Sequence, residues 1–382
     1  MKKNKKLLIL VNTLSFFISH RLPIVEAALA KGFNVVIGYG ELGNTSSKLL
    51  EQQGLKVKHI YIHRGGINPL KEIKTFFYIW KFFKKESPDI AHLITIRPYL
   101  YGGVISRLIG IKSLVSAVSG LGTLFISKDW KSRFLRLLVY PIYKLTFKHS
   151  NQKVIIQNKD DLKVLIKWGV LDPFKTKLIR GSGVRLENFK NLNEPDEIPT
   201  VCFASRLLRD KGVYEFVSAA RLLKKRGVQA KFCLAGDLDT NNPSSLNLDD
   251  LNKIKQEACV VVLGFHNDIP TLYANSHIIC LPSYREGLPK SLIEAAAASR
   301  AVVTTDVPGC RDVIIPNRTG LLVPVKDFKK LADAIQWLIE HPKERIGMGK
   351  AGREFAEKEF SIEKVIQEHL DIYDDLLINN EK

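Results

Sequence analysis

The sequence predicts an α/β protein made of two doubly wound, Rossmann-like domains, and three observations lead there. The chain is 382 residues long, too long for one ordinary core and suited to two. Short β-rich apolar runs alternate with longer stretches of helical spacing along its length. The alternation pauses once, near 181–199, where GSGVRLENFKNLNEPDEIPT collects Gly, Asn, Pro and acidic residues as a linker does.

In the first half LLILV (7–11), NVVIGYG (34–40), KVKHIYI (56–62), DIAHLIT (89–95), SLVSAVS (113–119) and KVIIQN (153–158) read as strands. The segments after them carry helical spacing, as in RLPIVEAALAKG, which stops at Gly32. In the second half TVCFAS (200–205), AKFCLAGD (230–237), CVVVLGF (259–265), HIICLPS (277–283), AVVTTD (301–306) and GLLVPV (320–325) repeat the pattern, with VYEFVSAARLLKKRG as a helix after the first. The expected domains are 1–190 and 191–355, with 356–382 as a final helical segment.

The opening MKKNKKLLILVNTLSFFISH imitates a secretion signal, but Asn12, Thr13 and Ser15 break the apolar run and His20-Arg21 closes it without a small-residue cleavage site. A buried first strand followed by a loop accounts for the same letters. No run reaches membrane-spanning length. The cysteines, at 202, 233, 259, 280 and 310, are scattered and several sit in strand-like runs, so they read as small buried hydrophobes in a reducing, cytoplasmic setting rather than as a zinc site.

The formal charge of +19 is unevenly spread. Residues 1–190 hold 33 Lys and Arg against 11 Asp and Glu, whereas the remainder holds 25 against 28. No helix-turn-helix, zinc-finger or RNA-binding aromatic pattern accompanies the basic half, which argues against nucleic acid. Its cations mix instead with large apolar residues in NPLKEIKTFFYIWKFFKKE (68–86) and SKDWKSRFLRLLVYPIYKLTFKHS (127–150). That mixture suits an anionic membrane surface, and equally a core helix with a solvated basic face.

Two Rossmann-like halves invite a dinucleotide reading, but NTLSFF follows the first strand where GxGxxG would be needed. The chemistry concentrates in LPSYREGLPKSLIEAAAASRAVVTTDVPG (281–309). Glu286 falls on the turn after a strand, and Pro289 suits the first position of the next helix. The free amides of Lys290 and Ser291 and the positive end of that helix favour phosphate. Glu294 lies roughly 7 to 8 Å further along the axis at ~1.5 Å per residue. Carboxylates accept hydrogen bonds from hydroxyls, so two of them around an anion site fit a nucleotide sugar. The spacing alone equally allows Glu294 to pair with Lys290 one turn back and Glu286 to be a solvated loop residue.

At these residues the chain resembles a known family. EGLPKSLIE resembles the E-x7-E motif of family 4 retaining glycosyltransferases of GT-B fold, in which two Rossmann-like domains face each other across a cleft. FASRLLRDKGVYEFVSAARLL, LGFHNDIPTLYANSHIICLPSYREG and PNRTGLLVPVKD match further segments of that family in order. The resemblance covers nearly the whole chain. It implies that Arg206 and Lys211 neutralise a leaving nucleotide diphosphate, that Glu294 binds ribose hydroxyls, and that Glu286, with the amides of Gly287 and Leu288, contacts the transferred sugar. Lys290 belongs to the donor site through its helix amide, and Phe265 and Asp268 fall near the base, where Asp268 is also placed to cap a helix.

SFFISHRLPIVEAALAKG resembles the opening of members that act on polyprenol-linked sugars, with His20 and Arg21 set to meet an acceptor diphosphate. SGLGTLF matches a glycine turn of that subgroup and brings in Gly120 and Gly122. The most similar subgroup is the polyprenyl-diphosphate-sugar N-acetylgalactosaminyltransferases of bacterial glycan assembly. There is one departure. Many relatives carry a histidine just before a basic residue in the fourth-strand turn; here HLITIRP has Ile94 and Ile96 around Thr95, only Arg97 keeps the charge, and His92 reads as a satisfied strand histidine.

The expectation is therefore a transferase moving an N-acetylhexosamine from a UDP-sugar to a polyprenyl-diphosphate acceptor, with neither cofactor nor metal. Asp237 and Asp239 have the D-x-D spacing of manganese sites in another transferase fold, but they follow a strand where this family has a Gly-Asp turn. The enzyme would sit peripherally on the cytoplasmic face of the inner membrane. Rival readings are a nucleotide-sugar epimerase or hydrolase of the same fold and a non-catalytic basic membrane-binding protein.

Overall fold

The computed structural model describes residues 4–43, 45–63, 65–66, 68–121, 130–190 and 193–380. The chain forms two compact units, residues 1–182 with 363–382, and 183–362. The junctions expected at 190/191 and 355/356 thus move to 182/183 and 362/363. The reason is local: the Val184 amide donates to Phe360 O at 2.9 Å and the Ile362 amide donates to Val184 O at 3.0 Å, so both crossing segments join the second unit.

In the first unit seven strands, β1 (Lys6–Thr13), β2 (Asn34–Glu41), β3 (Lys56–His59), β4 (Ile90–Ile94), β5 (Ser113–Val118), β6 (Gln152–Ile156) and β7 (Thr176–Leu178), form one sheet. The order is β3-β2-β1-β4-β5-β6-β7, and the pairs are parallel. Helices α1 (Leu14–Ala30), α2 (Ser47–Gln52), α3 (Pro69–Glu86), α4 (Ile96–Leu108), α5 (Trp130–Thr146) and α6 (Lys159–Lys167) link the strands. A strand's side chains alternate between faces, and β1 divides accordingly: Leu7, Ile9 and Val11 enter one apolar cluster, Leu8 and Leu10 the other. The first cluster is completed by Val365, Ile372, Tyr373 and Leu376 of the C-terminal helix, Ile362–Ile378. Residues 356–382 are therefore divided. The stretch to Glu359 closes a helix of the second unit, and the chain breaks at Phe360 and Ser361 before the last helix returns to the first.

The expected loop after the first strand is absent. Helix α1 starts at Leu14, directly after Thr13, and carries Pro23 in its interior. Proline normally punctuates a helix, which is why the sequence places the start at Arg21. Burial of Leu14 and Phe17 rewards the earlier start.

The second unit repeats the plan with β8 (Thr200–Ala204), β9 (Lys231–Ala235), β10 (Val261–Gly264), β11 (Ile278–Leu281), β12 (Ala301–Thr305) and β13 (Gly320–Val323). Their order is β10-β9-β8-β11-β12-β13, again parallel. The helices are α7 (Val213–Lys225), α8 (Leu248–Gln256), α9 (Ile269–Ala274), α10 (Lys290–Ala297), α11 (Phe328–Glu340) and α12 (Pro342–Glu359). All five cysteines are free thiols in this unit, and burial pushes those of Cys202 and Cys310 up to about 12.

Each sheet reverses its winding once, between β1 and β4 in the first unit and between β8 and β11 in the second. Ligands of open parallel sheets bind at such switch points, outside the carboxyl ends of the strands. Among the described residues no helix is long and apolar enough to cross a membrane.

Candidate active site

The loops that leave β8 and β11 meet at the switch point of the second unit. The Tyr284 amide donates to Asp210 O at 2.8 Å, and Ser283 Oγ lies 3.0 Å from the same carbonyl. Gly212 makes this approach possible: at φ 79 it is in the left-handed region, and a Cβ there would fall 2.1 Å from Pro282 O. The loop after β12 closes in from the other side, where the Glu286 amide donates to Pro308 O at 3.1 Å. Gly309 leaves room for that contact, since its Cβ would lie 2.5 Å from Glu286 O.

The charged side chains of this cluster are paired. Lys211 Nζ donates to Glu286 Oε1 at 2.5 Å, with both side chains largely shielded. Ser283 Oγ is 2.5 Å from the same oxygen, so its single proton is shared between Glu286 and the Asp210 carbonyl. Arg206 Nη1 donates to Asp239 Oδ2 at 2.6 Å, and Lys290 pairs with Glu294 one turn along α10. The Lys290–Glu294 contact is the alternative the spacing allowed, and it is realised. Pro289 stands immediately before α10 and offers no side-chain cap. The first amides to return to the chain are those of Leu292 and Ile293, both to Pro289 O, and the helix mouth lies next to Gly287 and Leu288.

The remaining donor-site candidates lie further out. Phe265 is more than half exposed just beyond β10. Asp268 is the cap of α9, its Oδ1 accepting from the Thr271 amide at 3.0 Å, and that bonding holds its carboxyl below the usual range. The D-x-D pair is split in role: Asp239 engages Arg206, while Asp237 Oδ1 accepts from the Leu238 amide at 2.8 Å. Among the described residues no three His, Cys, Asp or Glu side chains gather as a metal site would require. Ser283, Gly309 and the Arg206 partnership of Asp239 are absent from the sequence reading. Only the quoted run through Gly309 hinted at them, because each depends on which loops the sheet order makes neighbours.

In the first unit the acceptor candidates are less concentrated. His20 is partly buried, stacked on Phe16 at 4.2 Å between ring centroids, with Nδ1 2.7 Å from Ser19 Oγ. Arg21 does not join it. Successive helical residues point about 100° apart, and Arg21 is turned inward, 1% exposed, where burial pulls its guanidinium down to about 10. It belongs to a buried polar group with His92, His369 and Tyr373, in which Tyr373 OH meets His92 Nδ1 at 2.7 Å. The expectation that Arg21 meets an acceptor is corrected on that ground. His92 is a strand histidine, fully buried.

Arg97 is at the switch point, in the first turn of α4, but it is engaged: Nη2 donates to Glu72 Oε1 at 2.8 Å. Thr95, just before it, has φ 72, a strained value for a β-branched residue. Gly120 follows β5 with φ 117, and Gly122 lies outside the described residues.

Comparisons with known proteins identify the family. The profile described as "Glycosyl transferases group 1" matches residues 184–355, and "Glycosyl transferase 4-like" matches 6–158. The chain is 30% identical over 373 residues to the N,N'-diacetylbacillosaminyl-diphospho-undecaprenol alpha-1,3-N-acetylgalactosaminyltransferase of Campylobacter jejuni, covering 94% of this chain and 96% of that one. It is 25% identical to the UDP-Gal:alpha-D-GlcNAc-diphosphoundecaprenol alpha-1,3-galactosyltransferase of Escherichia coli, over 82% of each chain. Among solved structures, Anabaena Alr3699/HepE in complex with UDP and glucose superposes with a TM-score of 0.78 at 19% identity, covering 97% of this chain and 100% of the other. The chain belongs to the group 1, family 4-like glycosyltransferases, and is a glycosyltransferase of GT-B fold.

Proposed function

We propose that this enzyme transfers an N-acetylhexosamine from a UDP-sugar to a polyprenyl-diphosphate-linked saccharide in the assembly of a bacterial surface glycan, with retention of anomeric configuration. The observation that carries the reading is the loop cluster at the β8/β11 switch point, where Lys211 pairs with Glu286 just before the mouth of α10 and Arg206, on the same loop as Lys211, pairs with Asp239. The near full-length likeness to the Campylobacter jejuni transferase supports the choice of sugar and of lipid diphosphate.

The second unit is the donor domain in this reading. Arg206 and Lys211 exchange their carboxylate partners for diphosphate oxygens, and the released Glu286 turns to the sugar with the amides of Gly287 and Leu288. Glu294 takes the ribose hydroxyls. Stabilisation grows as the diphosphate gains charge in a shielded site. The bond from anomeric carbon to phosphate oxygen breaks, the acceptor oxygen bonds to that carbon from the same face, and its proton passes to the departing diphosphate. Glu286 serves as an electrostatic partner in this scheme, so a trapped covalent sugar on Glu286 would reject it.

The first unit is the acceptor domain, with His20, Arg97 and Gly120 nearest the lipid diphosphate, and it docks peripherally on anionic lipid. Helix α3 exposes Leu70, Ile73 and Phe77, and α5 exposes Trp130, Phe134, Leu137 and Leu138, amid the cations of the basic half. Apolar side chains at the headgroup boundary and cations adding roughly 1 kcal/mol each make such a surface adhesive. Five unpaired thiols fit a reducing compartment, the cytoplasmic face of the inner membrane.

The test is to incubate the protein with a panel of nucleotide sugars and a short-chain polyprenyl-diphosphate sugar, weigh the product and read its anomeric configuration by NMR. One added N-acetylhexosamine in the α configuration is expected. Sugar release that ignores the acceptor would point to a hydrolase instead.

A further inference from the structure

The guanidinium of Arg97 is held along one edge by a carboxylate and a backbone carbonyl of the first unit. Nε donates to Glu72 Oε2 at 3.1 Å and to Oε1 at 3.2 Å. Nη2 donates to Glu72 Oε1 at 2.8 Å and to Gly65 O at 3.0 Å. Tyr101, one turn further along α4, donates its hydroxyl to Glu72 Oε2 at 2.7 Å. The Arg97 and Glu72 side chains are only 19% and 15% exposed. Burial would raise the carboxyl's pKa, but the hydrogen bonds from Arg97 and Tyr101 and the charge of Arg97 outweigh it and hold Glu72 ionised, below its ordinary value.

An arginine has five N–H donors in a rigid fork. Here Nε–H and both hydrogens of Nη2 are committed, and the two on Nη1 have no partner among the described residues. A fork fixed along one edge loses little freedom when the other edge meets an anion. Glu72 is in the first turn of α3, the helix with the exposed Leu70, Ile73 and Phe77, while Arg97 opens α4 at the switch point. The contact therefore joins the lipid-facing helix to the turn where an acceptor headgroup arrives.

We propose that Glu72 is a positioning residue which, with Gly65 and Tyr101, fixes the Arg97 fork so that its Nη1 edge receives the diphosphate of the lipid-linked acceptor. The proposal rests on the reading of the first unit as the acceptor domain. A carboxylate that merely competed with phosphate for Arg97 would have the opposite effect.

Steady-state kinetics on the full-length protein with a short-chain polyprenyl-diphosphate sugar distinguish these roles. Glu72→Ala is expected to raise the acceptor KM about tenfold, the loss of one charge-assisted contact, with the donor KM and binding to anionic vesicles unchanged. Glu72→Gln, whose amide oxygen still accepts, should fall between Glu72→Ala and wild type, and Glu72→Ala combined with Arg97→Ala should be no worse than Arg97→Ala alone. Tyr101→Phe gives the same signature at about threefold, which keeps the test open if Glu72→Ala folds poorly. An unchanged acceptor KM in these variants, a lowered one in Glu72→Gln, or additive effects with Arg97→Ala would overturn the proposal. A wild-type protein that transfers nothing to any lipid diphosphate would remove the functional reading beneath it.

Discussion

The two units wind their sheets about a switch point in the same way but arm it differently. In the second unit two cation–carboxylate pairs sit on loops tied to one another by backbone hydrogen bonds, a third lies at the start of α10, and two glycines allow those loops to touch. In the first unit one such pair, Arg97 with Glu72, marks the switch point, and much of the surplus positive charge is spread over helices with exposed apolar faces. The contrast follows from the ligands proposed for each. A departing diphosphate requires donors held still where charge develops, whereas a lipid-borne acceptor is gathered by a surface and needs only its headgroup fixed.

The comparison breaks most readily at the cations. Arg206→Ala or Lys211→Ala should lower kcat on the order of 10²- to 10³-fold at saturating donor, while Arg97→Ala should mainly raise the acceptor KM. If Arg97→Ala lowers kcat as far as Arg206→Ala does, the division of labour is wrong. Glu294→Ala sharpens the account within the donor unit: its donor KM should rise about tenfold or more with a smaller change in kcat, since ribose contacts are alike in ground and transition states. Small, equal effects from Glu294→Ala and Arg206→Ala would count against both assignments.

Acid should act on the first unit through its buried histidines. Burial lowers the pKa of His92 and takes that of His369 to about 3, with Arg21 adding to both effects. Between about 3 and the ordinary value near 6.5 the unfolded chain binds more protons than the folded one, so stability rises with pH there. It is fully present above 6.5 and lost as pH falls through that window, by up to about 1.4 kcal/mol per pH unit for His369, and His92 acts in the same direction. Thermal melts from pH 7 to pH 5 should show the loss, and His369→Gln should flatten it; an identical slope in the variant would place the sensitivity elsewhere. The smallest effect belongs to the surface. Leu137→Asp on α5 should weaken binding to anionic vesicles several-fold while leaving the melting temperature unchanged, because the side chain is already mostly exposed. A lowered melting temperature would reassign α5 to a structural role.

Much of this was legible in the sequence because strands buried on both faces print as continuous apolar runs, and every run quoted above overlaps a strand of the structure. Glu286 and Glu294 were legible for a related reason: turn and helix mouth are contiguous in the chain, so their relation is set by local geometry. What stayed hidden depends on topology or on one helical step. The Glu72–Arg97 contact joins residues 25 positions apart and exists because α3 and α4 are neighbours. Arg21 follows His20 directly, yet the helix turns it into the core. The early start of α1 was masked by Pro23, and the break at Phe360 depends on a backbone exchange with Val184.

The central claim, that the β8/β11 loop cluster grips the diphosphate of a nucleotide sugar, is tested most directly by calorimetric titration of UDP into the full-length protein and into its Arg206→Ala, Lys211→Ala and Glu294→Ala variants. Saturable one-to-one binding to the wild type, weakened at least tenfold in each variant with the melting temperature preserved, is the predicted result. Undiminished affinity in all three, or no binding to the wild type, would contradict it.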